Sequence, residues 1–322
     1  IRRIHYGTIN GTNDIDLYTL SNGEGSFRVN ITNYGAIITS LLTLDRRGSL
    51  DDIVLGFDTL EGYLQPDCPY FGAVIGRYAN RINKGHFSLV QSRTGKQEFY
   101  NLTINNPPNH LHGGFFGFDK RIWTVTRAET DVKLDAVVLE LQYKSHSGEE
   151  GYPSSVQVTV RYTLFNSNFT LQVEYEAVNT GDEDTIINLT NHSYFNLAVG
   201  KVVDIKNHFL ELNAQYYTPV DETLIPTGEI KCTNHTPFDF FKGNYIGSRM
   251  SQVPGGYDHN YVLMKKTTDE LQLAATLSEP ITGRKMTVYT TQPGVQFYTG
   301  NFLNGIIGKN NRIYVKNYGL CL

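Results

Sequence analysis

Long apolar runs and clusters of like charge are both missing from this 322-residue sequence. No stretch approaches the roughly 18 consecutive apolar residues of a membrane-spanning helix. The first residues, Ile1-Arg2-Arg3, include neither a methionine nor the apolar core of a signal peptide, so we expect a soluble, trimmed or processed chain. Charged residues make up 19% of the sequence, the net charge is −4, and lysine and arginine form no run. This composition argues against nucleic acid and membranes as partners and favours a small neutral ligand.

Cysteine is also scarce. Cys68, Cys232 and Cys321 lie far apart and show no CxxC spacing, so neither a zinc site nor a disulfide framework is indicated. This favours a cytoplasmic protein, whereas seven Asn-x-Ser/Thr sequons leave secretion as the alternative. The sequons begin at Asn10, Asn30, Asn101, Asn168, Asn188, Asn191 and Asn234.

Signals for helices are few, and signals for strands recur along the chain. The best predicted helix spans only residues 59–64, with Asp58 as its N-cap and Glu61 three residues on. Residues 156–162 and 171–176 alternate apolar and polar side chains and predict a hairpin around a turn at 165–168. Further strands are predicted at 27–32, 36–44, 137–143, 209–212, 271–277, 285–290 and 295–298.

These strands, with 21 tyrosines and 17 phenylalanines, predict an all-β fold. We expect a large antiparallel β-sandwich with very little helix, rather than alternating βαβ units. No linker, internal repeat or low-complexity tract divides the sequence, so we expect residues 1–322 to form a single domain.

The segment 190–197 places one histidine, His192, among hydroxyls, amides and aromatic rings. It follows residues 185–189, which we predict as a strand, so the imidazole would project from the end of a sheet. Histidine is the side chain best able to exchange a proton near neutral pH, which makes His192 a candidate acid or base. The alternative is a buried histidine satisfied by its polar neighbours.

Four further loops are unusually polar, at 76–82, 109–114, 255–260 and 292–298. They combine guanidinium, amide, imidazole and carboxylate groups with aromatic rings. Sugars need such donors and acceptors for their hydroxyls and aromatic faces for their C–H patches, so this inventory favours a carbohydrate ligand. Structural readings stay open: Arg77 or Arg81 as a surface ion pair, Asp258 as a turn residue, Gln296 on an edge strand.

Seven motifs in this order resemble the aldose 1-epimerase family, also called galactose mutarotases. They are GRYANRI at 76–82, LHGG at 111–114 with GFDK at 117–120 and Trp123, GEEGYP at 148–153, NHSYFNL at 191–197, TPVD at 218–221, GYDHN at 256–260 and PGVQFYTGN at 293–301. The resemblance runs from about residue 27 to the end of the sequence.

The resemblance implies a β-sandwich enzyme that interconverts the α and β anomers of an aldohexose, such as galactose or glucose, without metal or cofactor. By position, His192 matches the general acid, and His112 matches a second histidine near the sugar ring. The positions that match sugar-binding residues are Asn80, Arg81, Tyr194, Asp258 and Gln296. We expect these groups to share one open cleft, the sugar to be the partner, and the protein to be a monomer or weak dimer.

One feature of that family is not found in this sequence. In the family, the segment that resembles 319–322 runs directly into a glutamate that acts as general base, whereas this sequence stops at Leu322. We therefore expect the C-terminal segment to be missing. Residues 1–322 alone should bind sugar but lose most activity, unless Glu149 or Glu150 substitutes as the base.

Three other functions stay open. A carbohydrate-binding protein without catalysis would share the polar loops, and a phosphosugar epimerase of the same fold would use surplus basic residues such as Arg77. A metal site could use histidines at His-x-His spacing, namely His110, His112, His192 and His259, although anomer interconversion needs no metal.

Overall fold

The structure is a computed structural model that describes residues 1–264, 267 and 270–322. Its strands, numbered in chain order, are β1 (Arg2–Ile9), β2 (Asn13–Ser21), β3 (Phe27–Thr32), β4 (Ile38–Leu44), β5 (Leu50–Asp52), β6 (Val74–Ile75), β7 (Arg81–Ile82), β8 (His86–Val90), β9 (Gln97–Asn101), β10 (His110–Leu111), β11 (Thr124–Asp131), β12 (Ala136–Ser145), β13 (Val156–Phe165), β14 (Leu171–Asn179), β15 (Thr190–Asn191), β16 (Phe209–Leu212), β17 (Ala214–Thr218), β18 (Lys231–Cys232), β19 (Asn244–Tyr245), β20 (Asp258–Leu263), β21 (Gln272–Ser278), β22 (Lys285–Thr290), β23 (Gly294–Tyr298), β24 (Ile306–Ile307) and β25 (Ile313–Tyr314).

The chain divides into two compact units, residues 1–41 with 59–192 and residues 42–58 with 193–322. In the first unit, β11, β12, β13 and β14 form an antiparallel sheet in chain order. Alternate side chains along β13 are buried, as expected for a strand with one face on the core. The long antiparallel pairing of β1 with β2 belongs to the same unit. Whether the whole chain is a single domain stays a prediction.

The second unit contains two four-stranded antiparallel sheets, ordered β19-β16-β21-β22 and β18-β17-β20-β23. Its core is rich in aromatic rings: Tyr257 stacks on Phe297 at a centroid distance of 5.1 Å, and Phe240 meets both rings edge-on. Such offset and edge contacts are favourable because the ring faces and ring edges carry opposite partial charge. The aromatic content of the sequence is thus used largely for packing.

Helices are as short as the sequence indicates. In the described part of the chain, the α-helices are α1 (Leu60–Tyr63) and α2 (Gly247–Met250). The predicted cap was one residue early, because Thr59 is the N-cap of α1. The Asp58 carboxylate instead accepts a hydrogen bond from the backbone N–H of Asn310 in its own unit, at 2.7 Å.

The all-β, antiparallel architecture predicted from the alternating pattern is confirmed. Strands predicted at 27–32, 209–212 and 285–290 have the observed bounds, and the 156–176 hairpin is formed by β13 and β14. The strand predicted at 185–189 is wrong. That segment is irregular, with a single bridge from Asn188 to Tyr78, and only the two residues of β15 form a ladder before His192.

His208 gives the second unit a pH-dependent stability. Its side chain is fully buried and Nε2 accepts the backbone N–H of Leu197 at 3.0 Å, so burial lowers the pKa of His208 from 6.5 to about 4. As the pH falls, the unfolded chain therefore takes up a proton on His208 at a higher pH than the folded chain does. The contribution of His208 to the unfolding free energy should fall between pH 6.5 and 4, by at most about 3 kcal/mol.

Urea denaturation at a series of pH values measures this slope. His208→Gln, which keeps an acceptor for Leu197, should make this slope shallower by the His208 contribution, whereas His235→Gln on the exposed surface should leave it unchanged. An equal slope in wild type and His208→Gln would assign the acid sensitivity to other groups.

Candidate functional site

The His192 segment is fixed by backbone hydrogen bonds within the first unit. Strand β15 pairs with β6, so Thr190 lies opposite Ile75 and Asn191 opposite Val74. The ladder continues irregularly beyond β15: the His192 N–H donates to Ala73 O at 2.9 Å, and the Gly72 N–H donates to His192 O at 3.0 Å. These bonds hold the residue through its main chain.

A second two-residue ladder fixes His112. Strand β10 pairs with β7, and the His112 N–H then donates to Asn80 O at 3.1 Å. The Asn80 N–H donates to Nδ1 of the His112 ring at 3.0 Å. Because Nδ1 accepts this bond, the proton of neutral His112 sits on Nε2. Asn80, at the end of the segment that joins β6 to β7, therefore positions His112.

Gly113 allows the segment that carries His112 to lie close to the backbone of Gly76. Its φ is 87°, in the region that favours glycine, and a Cβ atom there would lie 1.8 Å from Gly76 O. Any side chain would push the His112 segment away from Gly76. The diglycine after His112 in the sequence thus has a steric reason.

Three rings meet at the resulting cluster, which we call the ring triad: Tyr70, His112 and His192. The centroids of His112 and His192 are 5.2 Å apart and their planes are nearly perpendicular, at 88°. Tyr70 stacks on His192 at 5.8 Å and meets His112 edge-on at 4.8 Å. Both histidines are half-buried.

The surroundings of the ring triad favour neutral imidazoles. Burial lowers the pKa of His192 to about 4. Burial also holds the pKa of His112 well below its ordinary value, with additional repulsion from His192, Arg81 and Lys120. Near pH 7 both rings are therefore uncharged. His112 can then offer its Nε2–H as a donor, because Nδ1 already accepts the Asn80 N–H.

Two further predicted site residues lie beside His112 in the same unit. The Arg81 Nη1 donates to the side-chain oxygen of Asn80 at 3.3 Å, and its Nε donates to Asn106 Oδ1 at 3.2 Å. Asn80 has a φ of 63° and bonds His112 through both its N–H and its C=O. Arg81, Asn80 and His112 thus lie together in the first unit.

The polar groups of the second unit lie on one face of two neighbouring strands. Asp258 on β20 is opposite Tyr298 on β23, and Asn260 is opposite Gln296, so these four side chains point the same way. The Gln296 Nε2 donates to Asp258 Oδ1 at 2.8 Å. This amide–carboxylate pair can offer both an acceptor and a donor to vicinal hydroxyls.

Tyr194 and the last residues of the sequence pack at the same end of β23. The Tyr194 ring meets the Tyr298 ring edge-on at 5.9 Å and is almost fully buried. Cys321 exchanges backbone hydrogen bonds with Tyr298 on the side away from Asp258. The second unit thus unites Asp258, Gln296 and Tyr194 with Tyr298, whereas the first unites His112, His192, Asn80 and Arg81. That all of them share one cleft stays a prediction.

Other side chains considered in the sequence analysis, those of Glu149, Glu150 and His110, bond to neighbouring groups. The Glu150 carboxylate accepts the backbone N–H groups of Phe115 and Phe116, at 3.1 and 3.0 Å, and Glu149 pairs with Arg121 at 2.9 Å. The buried His110 uses Nε2 with the Tyr152 hydroxyl and Nδ1 with Thr103 O, each at 2.6 Å. Among the described residues, no group of three or more His, Cys, Asp or Glu is placed to hold a metal ion.

Comparisons with known proteins agree with these motifs. The sequence model of the family described as aldose 1-epimerase matches residues 16–322. The chain belongs to the aldose 1-epimerase family. Human galactose mutarotase is 47% identical over 297 residues, which cover 92% of this chain and 81% of that protein. The Escherichia coli aldose 1-epimerase is 35% identical over 311 residues, covering 95% and 84%.

A crystal structure of an aldose epimerase homologue from C. elegans has the same fold. Its TM-score is 0.82 at 29% identity, with 95% of this chain and 87% of that chain covered. These findings confirm the predicted aldose 1-epimerase activity class and the predicted β-rich fold. In the part of this aldose 1-epimerase that is described, none of the helices is long and apolar enough to cross a bilayer.

Arg77 does not serve as the phosphate ligand that a phosphosugar epimerase would need. It is 1% exposed, so the reading of a surface ion pair is also wrong. Its guanidinium donates to Ser145 Oγ and to the carbonyl oxygens of Pro153, Ser154 and His146, at 2.6 to 3.1 Å. In this aldose 1-epimerase, Arg77 fastens the GRYANRI segment to the neighbouring loops.

Replacing Arg77 with leucine should destabilise the protein by about 3 to 5 kcal/mol, because several buried acceptors lose their donor. Arg77→Lys should recover only part of the loss, since an ammonium cannot reproduce the planar fork. Urea denaturation measures both. The control is Arg93→Leu, whose pair with Asp182 is exposed. A cost below about 1 kcal/mol for Arg77→Leu would contradict the structural role.

Proposed function

We propose that the protein binds an aldohexose, such as galactose or glucose, and that His192 and His112 act on the sugar ring while it opens and closes. The observation that carries this proposal is the His112–His192 pair. Two neutral imidazoles in direct contact, one of them with an assigned tautomer, sit beside the Asn80 and Arg81 side chains. Membership of the aldose 1-epimerase family supports the reaction.

Anomer interconversion requires two proton transfers. A base removes the proton of the C1 hydroxyl while an acid delivers a proton to the ring oxygen, so that the C1–O5 bond breaks and an open-chain aldehyde forms. Rotation about C1–C2 and reclosure give the other anomer. A positioned proton-transfer group contributes roughly 10² to 10⁴ in rate.

His192 is the proposed acid. Because burial lowers the pKa of His192 to about 4, the imidazole is neutral at pH 7 in the sugar-free protein. Negative charge that develops on the ring oxygen would raise that pKa as the C1–O5 bond breaks. A neutral imidazole can also polarise an oxygen through its N–H, as in triosephosphate isomerase. His112 is the second donor proposed for the sugar ring.

The remaining predicted residues are proposed to hold hydroxyls. Asp258 supplies an anionic acceptor and Gln296 an amide, and their contact at 2.8 Å fixes both orientations. Asn80 and Arg81 supply an amide and a guanidinium from the first unit. Tyr194 is proposed to contribute the edge of its buried ring, which Tyr298 holds in place.

Glu149 and Glu150 are not proposed as the general base, since the first pairs with Arg121 and the second accepts two backbone N–H groups.

Cellular location and oligomeric state are the last two proposals. A cytoplasmic location is proposed because none of the three cysteines, Cys68, Cys232 and Cys321, forms a disulfide. A monomer or weak dimer is proposed for solution. Gel filtration with light scattering at two protein concentrations tests the oligomeric state, and a stable higher oligomer would contradict this proposal.

Polarimetry of freshly dissolved α-D-galactose and α-D-glucose tests the function. We expect the approach to anomeric equilibrium to accelerate in proportion to the concentration of the natural full-length protein. Methyl α-D-galactoside, which cannot open because C1 carries no free hydroxyl, should inhibit by competition. Competitive binding of that glycoside without any acceleration would contradict the enzyme and support the non-catalytic carbohydrate-binding protein.

A further inference from the structure

Tyr70 is the third member of the ring triad, and no sequence motif assigns it a role. Its ring stacks on His192 with an interplanar angle of 24° and meets His112 edge-on at 72°. All three centroid distances, from 4.8 to 5.8 Å, lie in the range of favourable aromatic contacts. A single tyrosine ring thus covers one side of both imidazoles.

The backbone ties Tyr70 to the segment that carries His192. The Ala73 N–H donates to Tyr70 O at 3.1 Å, and Ala73 O accepts the His192 N–H at 2.9 Å. Tyr70 has a φ of 62°, a conformation that is uncommon for a bulky side chain and costs free energy. The fold keeps a tyrosine there although glycine or asparagine would adopt that backbone more easily.

A cation holds the Tyr70 ring as well. Lys120 Nζ lies 5.1 Å from the centroid of the ring, within the distance of a cation–π contact. The ammonium is paired with the buried Asp119 carboxylate at 2.5 Å. Tyr70 is therefore fixed by its backbone, by Lys120 and by the two imidazoles, and a ring with so many contacts can fix its neighbours in turn.

We propose that Tyr70 is a positioning residue that orients the His192 and His112 imidazoles and shields them from water, with Lys120 and Asp119 clamping its ring. The proposal rests on the proposed function of the two histidines. Tyr70 acts through its flat apolar surface and not through proton transfer, because burial raises the pKa of its hydroxyl and keeps the phenol neutral.

The physical reason is geometric. Proton transfer depends steeply on donor–acceptor alignment, and a misplacement of about 1 Å can cost roughly 10²-fold in rate. An imidazole turns about two side-chain torsions, and a flat ring packed parallel to His192 restricts that rotation. Loss of the ring would also admit water, so the charged forms of both histidines would become less unfavourable.

Three substitutions test the proposal. Tyr70→Met keeps an apolar side chain of similar length but removes the plane, Tyr70→Phe keeps the plane but removes the hydroxyl, and Tyr100→Met is the matched control. Tyr100 lies in the same unit and stacks on Phe87 at 5.1 Å, as part of the β8–β9 hairpin. Activity is measured on the natural full-length protein, and the histidine ring protons are titrated by NMR.

We expect Tyr70→Met to lower kcat for galactose by roughly 10- to 100-fold, with KM changed less than about threefold. The pKa of His192 should rise from about 4 towards its ordinary 6.5. Tyr70→Phe should retain the wild-type kcat and histidine titration to within about twofold, and so should Tyr100→Met. Should Tyr70→Met fail to fold, Lys120→Met, which removes the clamp, should shift the titration of His192 upwards, because the pKa of His192 is lowered by burial.

A folded Tyr70→Met variant with wild-type kcat and wild-type histidine titration would overturn the proposal, and so would a Tyr70→Phe variant as impaired as Tyr70→Met. An unchanged His192 titration in Lys120→Met would contradict the proposed role of Lys120 and Asp119 as a clamp. The NMR titration does not depend on catalysis. If the wild type accelerates no mutarotation, the proposed function fails, while the titrations still decide whether Tyr70 shields the histidines.

Discussion

Replacing His192 with glutamine should lower kcat for α-D-galactose by roughly 10² to 10⁴, the usual contribution of one proton-transfer group. Glutamine keeps a donor and an acceptor but cannot exchange a proton near neutral pH. The fold should survive, because the hydrogen bonds of His192 to Gly72 and Ala73 belong to its main chain. Polarimetry gives kcat, and calorimetric titration should show a dissociation constant for galactose within about tenfold of wild type.

The matched control for this substitution is His86→Gln. His86 is an exposed histidine at the first position of β8 in the same unit, so its replacement should leave both quantities unchanged. A loss of less than about threefold in His192→Gln would show that His192 is not the acid, since even weak general acids contribute more.

The second large effect is expected on sugar binding. Asp258→Asn should weaken galactose binding by roughly 10- to 100-fold, because a hydrogen bond to a charged acceptor contributes about 1.5 to 3 kcal/mol. The Gln296 amide, 2.8 Å from Asp258 Oδ1, would also lose a charged partner that fixes its orientation. Calorimetric titration measures the dissociation constants of wild type and variant.

Two further variants sharpen that measurement. Glu222→Gln removes one negative charge from an exposed position in the same unit and should not change affinity. Because Asp258 and Gln296 contact each other, Asp258→Asn combined with Gln296→Leu should lose less than the sum of the single losses. Strict additivity, or wild-type affinity in Asp258→Asn, would mean that the pair does not act as a unit on the sugar.

The regular part of the fold follows from local patterns. Strands β3, β13, β14 and β22 are long enough for alternation of buried and exposed side chains to be visible in the sequence. The ladders that hold the histidines, formed by β6, β7, β10 and β15, have two residues each. A strand of two residues is too short to show an alternating pattern, so only its tertiary pairing determines where it lies. The wrong strand prediction at 185–189 has this cause.

The sequence motifs indicated which polar side chains to consider for the site. They did not indicate whether packing would bury a given side chain or which rings would surround it. The motifs name Asp258, Gln296, Asn80, Arg81 and His112, and the structure shows Asp258 in contact with Gln296 and Asn80 in contact with His112 and Arg81. Their roles at a sugar stay predictions. The burial of Arg77 and the role of Tyr70 depend on carbonyl groups and rings brought from distant segments. A proline and a glycine flanking an aromatic pair, at residues 69–72, were the only local signal for Tyr70.

Exchange NMR at anomeric equilibrium tests the central claim most directly, because it observes the two anomers interconverting without any net reaction. With the natural full-length protein added to galactose, saturation of the β-anomer H1 signal should attenuate the α-anomer signal. The exchange rate should scale with protein concentration and fall roughly 10² to 10⁴-fold in His192→Gln. An exchange rate equal to that of buffer, or an equal rate in wild type and His192→Gln, would contradict the assignment of ring opening to this histidine.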